Sequence, residues 1–293
     1  MKAVLICLLA LFACTLSAVD RPLVVCSTTQ IADFARQVGG DRIQVACILK
    51  PGADPHTYQS TTADARLVLD ADLCLENGLH LEGNNWMAKL AKDAGKPVVT
   101  CTEGVALLRI ASNGETVADP HAWMDPRNAA TYVRTIQQAL TKLMPAHGDE
   151  FAARTTLFLQ QLRALDAWVR EQIAVIPVER RVLVTSHDAF NYFCRTYGFE
   201  AAAPVGWSTA ELGAGIPPER RQAVVESIRS QGVKAVFVET SVSSEILTEI
   251  ANEAGIRIGG SLYSDSMGAP GSAGADYIGM MRENVLTIAA ALR

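Results

Sequence analysis

The stretch GDEFAARTTLFLQQLRALDAWVREQIAVI, Gly148 to Ile176, decides the fold. Its apolar positions Phe151, Phe158, Leu162, Leu165, Val169, Ile173 and Ile176 recur at spacings of three and four, which makes one amphipathic helical stripe. Pro145 and Pro177 bracket it. At about 1.5 Å per residue such a helix is a rod of roughly 40 Å, long enough to bridge two lobes.

On both sides of this rod, short β-branched runs alternate with helical patterns. Upstream, Leu23–Thr28, Ile43–Leu49, Leu73–Asn77 and Val98–Cys101 read as strands, with helices over Thr61–Leu69, Asn85–Ala94 and Arg127–Leu143. Downstream, the strands are Val182–Thr185, Ala201–Val205, Ala235–Glu239 and Ile256–Leu262, with helices over Glu219–Gln231 and Ser243–Ala254. Strands alternating with helices imply βαβ units and a parallel sheet. The strands are near-continuous apolar runs, as expected when helices cover both faces. The expected fold class is therefore α/β: two lobes, each a mainly parallel four-stranded sheet flanked by helices, joined by one long rigid helix. The N-terminal lobe would span 20–145, the connecting helix 146–177 and the C-terminal lobe 178–293. Ligands of open α/β sheets bind beyond the carboxyl ends of the strands. Two such lobes form a cleft, and a stiff connector predicts a small adjustment on binding rather than a wide closure.

Residues 1–19 read as a secretory signal: Lys2, an apolar run from Ala3 to Ala13, then small residues through Ser17 and Ala18. The run is too short to span a bilayer. Two processing routes are open. Leu11-Phe12-Ala13-Cys14 loosely resembles a lipoprotein box with Cys14 as the lipidated residue, although Phe12 fits it poorly; cleavage after Ser17 or Ala18 is the rival. The remainder has no second apolar segment of membrane length. With 49% hydrophobic and 19% charged residues the whole chain has the composition of a folded globular protein. It carries 26 Lys+Arg against 31 Asp+Glu and no basic run, which argues against nucleic acid as a partner. Beyond the signal, Cys26, Cys47, Cys74, Cys101 and Cys194 are odd in number, and four of them sit in β-like apolar runs. They read as buried thiols packing as small hydrophobes. No CxxC supports a zinc knuckle or a redox motif.

Three of the five histidines fall just after predicted strands or before a helix: His56 in PGADPHTY, His121 in DPHAWMDP and His187 in VTSHDAF. Asp265, in SLYSDSMG, holds the same position after the last strand. All four converge on the strand-end surface where such folds build sites, two from each lobe. Three imidazoles and one carboxylate suit zinc, manganese or iron. In the repeated Asp-Pro-His, proline stiffens the loop and aims the ring. Asp54, Asp119 and Asp188 are candidates for acceptors that orient a ring N–H, against the plainer role of turn or cap residue. His80, near the cleft rim, and His147, at the start of the long helix, are not assigned to the metal.

The motifs PGADPHTYQ, ENGLHLEG, DPHAWMDPRNA, VTSHDAFNYF, VFVETSVSS and LYSDSMG, in this order, resemble those of the metal-specific solute-binding proteins of ABC importers, the group of TroA-like, PsaA-like and ZnuA-like receptors. The resemblance covers nearly the whole chain from residue 22. It implies one divalent transition metal as cargo between two lobes, with His56, His121, His187 and Asp265 as ligands. It also implies delivery to the membrane permease of an ABC importer, by a monomer that is exported to the periplasm or anchored to the outer face of the cytoplasmic membrane. Zinc receptors of the group usually carry a long His- and acid-rich loop, which is missing between Ala88 and Pro120, and His187 stands where manganese receptors often have Glu. The pattern is closest to the TroA-like subset, whose members handle manganese, zinc or iron.

Two rival classes are a zinc hydrolase and a surface adhesin with a structural metal. Catalytic zinc usually keeps three protein ligands and an open position; four predicted ligands close the shell, and no HExxH accompanies them. Glu239, at a strand end, is the one candidate general base. A dinucleotide enzyme fails because Val38-Gly39-Gly40 lacks the GxGxxG fingerprint. The expectation is a binding protein, not an enzyme.

Overall fold

The structure is a computed structural model and describes residues 21–112, 115–204, 206, 208–210 and 216–293. The expected signal sequence and Cys14 lie outside the described residues. The N-terminal half opens with β1 (Leu23–Cys26), α1 (Thr29–Gly39), β2 (Gln44–Cys47), α2 (Thr62–Leu69), β3 (Leu73–Glu76), α3 (Trp86–Asp93) and β4 (Val98–Thr100). Its four strands are all parallel in the order β2-β1-β3-β4, as the alternating pattern predicts. Thr61 and Asp64 form a reciprocal capping box that starts α2, so this helix begins where its first two backbone donors find side-chain acceptors.

An antiparallel hairpin, β5 (Arg109–Ser112) and β6 (Glu115–Ala118), follows; the pattern gives no hint of it. It leads into α4 (Pro126–Leu143), which Asp125 caps by accepting from Arg127 N while Pro126 takes the first helical position. The connecting helix α5 runs from Gly148 to Ala174. It buries Phe151, Phe158, Leu162, Leu165, Val169 and Ile173, the stripe read from the sequence, against α1 and α4 of the first half and α9 of the second.

The C-terminal half contains β7 (Val182–Val184), α6 (Asn191–Tyr197), β8 (Glu200–Ala202), α7 (Pro218–Ser230), β9 (Ala235–Glu239), α8 (Glu245–Ala254), β10 (Arg257–Leu262) and α9 (Tyr277–Leu292). Here the expected four-stranded sheet is two parallel pairs, β7 with β8 and β9 with β10, joined by the single bridge Thr185–Phe237. The reason is length. Strand β7 has three residues, so little ladder forms between it and β9.

One hydrophobic core runs through both halves, from Val24 and Phe34 through Trp123, Phe158 and Phe190 to Tyr277 and Leu292. Phe34 of α1 meets Tyr277 of α9 with ring centroids 5.0 Å apart and Phe158 of α5 at 6.1 Å. Smaller clusters sit under α2 and α3 on one flank and under α7 and α8 on the other. Cys26, Cys47, Cys74, Cys101 and Cys194 are free thiols, and all but half-buried Cys47 are buried, as the sequence reading has them. No helix among the described residues is long and apolar enough to cross a membrane.

Candidate metal centre

Each of the four predicted ligands is held by local chemistry that its own motif supplies. His56 follows β2 on a turn in which Asp54 Oδ1 accepts from the His56 amide at 2.8 Å. Trp86 Nε1 donates to the Pro55 carbonyl at 3.2 Å. Gly83, at φ +48°, lies so close to the His56 carbonyl that a Cβ there would sit 2.4 Å from it. His121 repeats the turn: Asp119 Oδ1 accepts from the His121 amide at 2.9 Å, and the same oxygen lies 2.8 Å from His121 Nδ1. Asn191 from α6 holds the other Asp119 oxygen at 3.1 Å.

His187 and Asp265 come from the second half. The His187 amide donates to Glu239 Oε1 at 2.9 Å, while Glu239 Oε2 lies 2.7 Å from His187 Nδ1. Asp265 sits on a segment bound to the first half. Its neighbour Ser264 offers its carbonyl to Gln30 Nε2 and Trp123 Nε1, Ser266 Oγ accepts from the Gly52 amide, and the Met267 amide donates to Thr29 Oγ1.

These anchors bring His56, His121, His187 and Asp265 together with one ligand atom of each within 4.8 Å of all the others. His56 Nε2 is 3.3 Å from His121 Nε2, His121 Nε2 is 3.4 Å from Asp265 Oδ1, and His187 Nε2 is 3.3 Å from Asp265 Oδ2. A tetrahedral ion with bonds of about 2.0–2.1 Å would set its ligand atoms about 3.3–3.4 Å apart. Three neighbouring pairs stand at that spacing, through both Asp265 oxygens, and all four donors lie within 4.8 Å of one another. The four residues are 0–4% exposed.

The electrostatics follow from this burial. Removal from water pushes the His56 imidazole down to about 3, so this ring is neutral. The same burial acts on His121, but hydrogen bonds to Asp119 and Asp265 outweigh it and raise the ring to about 9. For His187, burial is likewise overcome, by the charges of Glu239 and Asp265, and the ring lies well above its ordinary value. Burial would raise Asp265, yet His187 and His121 hold its carboxyl well below the usual range. In the absence of an ion, protons on His121 and His187 balance Asp265.

Of the three aspartates weighed as ring acceptors, only Asp119 serves. Asp54 caps a backbone amide, and Asp188 faces Arg220 at 3.1 Å. The partner of the His187 ring is Glu239, read from sequence as a strand-end carboxylate or a general base. The parallel bridge Thr185–Phe237 puts position 239 alongside position 187, two residues further along each segment, a pairing that no local motif marks. His80 is exposed on a left-handed backbone at φ 64°, and His147 sits 3.7 Å from Glu150; neither joins the cluster.

A two-part α/β fold with a buried three-histidine, one-carboxylate cage beyond its strand ends defines a metal-binding receptor architecture. The chain belongs to the family of ZnuA, the periplasmic component A of zinc-uptake complexes, whose pattern matches residues 24–291. It is 36% identical over 281 residues to the zinc-binding protein TroA of Treponema pallidum, covering 94% of this chain and 90% of the relative. It is 37% identical over 307 residues to the manganese-binding lipoprotein MntA of Bacillus subtilis, covering 100% and 98%. To the iron-binding protein YfeA of Yersinia pestis it is 37% identical over 270 residues, covering 91% and 85%. The solved structure of the Treponema pallidum periplasmic zinc-binding protein TroA superposes with a TM-score of 0.86 at 35% identity, covering 93% of this chain and 99% of that one. The Mn-bound periplasmic metal-binding protein of Candidatus Liberibacter asiaticus does so with a TM-score of 0.82 at 27% identity, over 93% and 100%.

Proposed function

We propose that this chain is an extracytoplasmic receptor that captures one divalent transition metal, zinc, manganese or iron, and delivers it to the membrane permease of an ABC importer. His56, His121, His187 and Asp265 are its ligands. One observation carries the reading: three imidazole nitrogens and a carboxylate oxygen meet within 4.8 Å of one another in a buried pocket. The relatives' names add zinc, manganese and iron as cargoes for such receptors.

The mechanism follows from the groups around the cage. Asp119 and Glu239 face Nδ1 of His121 and His187 and favour the proton there, which leaves each Nε2 lone pair aimed inward once the ring is neutral. An arriving ion displaces the protons that these rings share with Asp265, so capture is an exchange of protons for metal. The ligands come from lobes 20–145 and 178–293, with 146–177 between them, and the receptor acts as a monomer. The shared core and the hydrogen bonds that tie the Asp265 segment to the first half support a small adjustment on binding; a large metal-dependent change in radius of gyration by solution scattering would count against it.

Elemental analysis of the purified protein, beside a variant with His56, His121 and His187 all changed to Ala, tests the assignment. About one equivalent of zinc, manganese or iron in the native protein, lost in the variant, is expected. Equal metal content in both would refute it.

A further inference from the structure

A cage whose ligands are 0–4% exposed gives a bound ion no open path to water, so release requires withdrawal of a ligand-bearing segment. The segment after Asp265 is the one with a handle. Two hydrogen bonds hold it to the first half, Gly52 N to Ser266 Oγ at 2.8 Å and Met267 N to Thr29 Oγ1 at 2.9 Å. Beside them lies a groove of about 550 Å³, with Met267 and Pro270 of this segment forming one wall and β2 the other.

The groove runs along the edge of the sheet. Strand β2 is an edge strand, and Val45, Ala46 and Cys47, three consecutive residues, all line the cavity. Successive side chains of a strand point to opposite faces, so a cavity that touches all three must follow the strand's open side. The amides of Gln44 and Ile48 donate to Pro22 and Cys26, on the β1 side. By alternation, the main-chain groups of Val45 and Cys47 point outward into the groove. No acidic residue lines it, although the chain's net charge is −5. Arg36 and Lys50 flank it, both exposed and neither in a salt bridge with a described residue.

We propose that this edge groove is the docking site for an extended, acidic segment of the importer, which adds to β2 and displaces the Asp265 segment to free the metal. The inference rests on the transport reading above. Strand addition supplies affinity through main-chain hydrogen bonds, and carboxylates facing Arg36 and Lys50 set the approach. An apolar side chain entering between β2 and Met267 competes for the space that keeps the two hydrogen bonds closed.

The test uses cells that make this protein, with the chromosomal gene deleted and plasmid copies restored, and measures uptake of radiolabelled zinc and manganese. The copies are wild type, Arg36→Glu with Lys50→Glu, Val45→Pro, and the conservative Arg36→Lys with Lys50→Arg. Proline is tolerated on an edge strand and removes an outward donor while sparing the β1 pairing. The first two variants should lose uptake by at least about tenfold, as expected when close charge pairs or docking hydrogen bonds are removed. The conservative pair should retain it, and the metal affinity and melting temperature of every purified variant should match wild type. Wild-type uptake by the charge-reversed or proline variant overturns the proposal, as does weakened metal binding in the isolated protein. A sedimenting dimer that Val45→Pro dissociates would assign the edge to a second copy, which also overturns it. Failure of the wild-type copy to restore uptake would bring down the transport reading, and this inference with it.

Discussion

Replacing Glu239 by Gln probes the cage through a residue outside the ligand set. One carboxylate oxygen accepts a hydrogen bond from the His187 amide at 2.9 Å, and the other lies 2.7 Å from Nδ1 of the His187 ring. A carboxamide has one acceptor oxygen and one donor nitrogen. In either orientation it sets its NH2 against one of these two N–H groups. If it faces the ring, the ring must give up its Nδ1 proton and carry one on Nε2, the nitrogen that faces the cage. If it faces the backbone, a buried amide loses its acceptor, at about 1–3 kcal/mol. Loss of a carboxylate behind a metal-bound histidine costs about 10–100-fold in affinity, which is about 1.4–2.7 kcal/mol. Glu239→Gln should therefore bind zinc or manganese about 10–100-fold more weakly in competition with a chromophoric chelator, with an unchanged circular dichroism spectrum. Affinity within twofold of wild type would refute the assignment of Glu239 as the group that fixes the His187 ring.

Asp265→Ala opens the proposed four-residue cage, so metal affinity should fall by more than the roughly 10–100-fold expected for a change behind a ligand, read by the same competition assay. Metal affinity should also depend on pH. His121 holds its proton up to about 9 in the metal-free protein and releases it on binding, so affinity should climb from pH 6 toward 9 and then level; a flat profile would contradict the exchange. The same raised value makes the proton on His121 a source of metal-free stability, full below about 6.5 and lost as pH rises through about 9. Gly83→Ala puts a Cβ on a left-handed backbone at φ +48°, 2.4 Å from the His56 carbonyl; denaturant melts should show a loss of about 1–3 kcal/mol, and weakened metal binding should accompany it.

The four residues that cluster in the cage were legible in the sequence because their signals are local. Asp-Pro-His builds its own turn, and strand-end position is readable from the apolar run before it. The same holds for α5, whose polar face sets off its stripe. Helix α1 also carries a helical spacing, Ile31, Phe34, Ala35 and Val38, but it is short and buries Thr29, Gln30 and Asp33 as well, and like α9 it lies outside the stretches that the pattern singles out. Glu239 is the instructive miss. Its partner is 52 residues away, and only the alignment of β7 with β9 brings the two together. The anchoring of Ser264, Ser266 and Met267 to the first half is equally non-local, and no motif in the segment itself announces it.

The ring cluster of Phe34, Phe158 and Tyr277 also bears on how such a chain leaves the cell's interior. Its members lie near the beginning, middle and end of the sequence, so the cluster closes only when the final helix arrives. Until then Phe34 has Tyr132 and Phe158 beside it but lacks its nearest ring, Tyr277, whose contact spans most of the sequence. A translocation channel needs an unfolded passenger. Leaving one ring of this cluster to the last helix keeps part of the core open until the chain is nearly complete, a state that favours threading ahead of final packing.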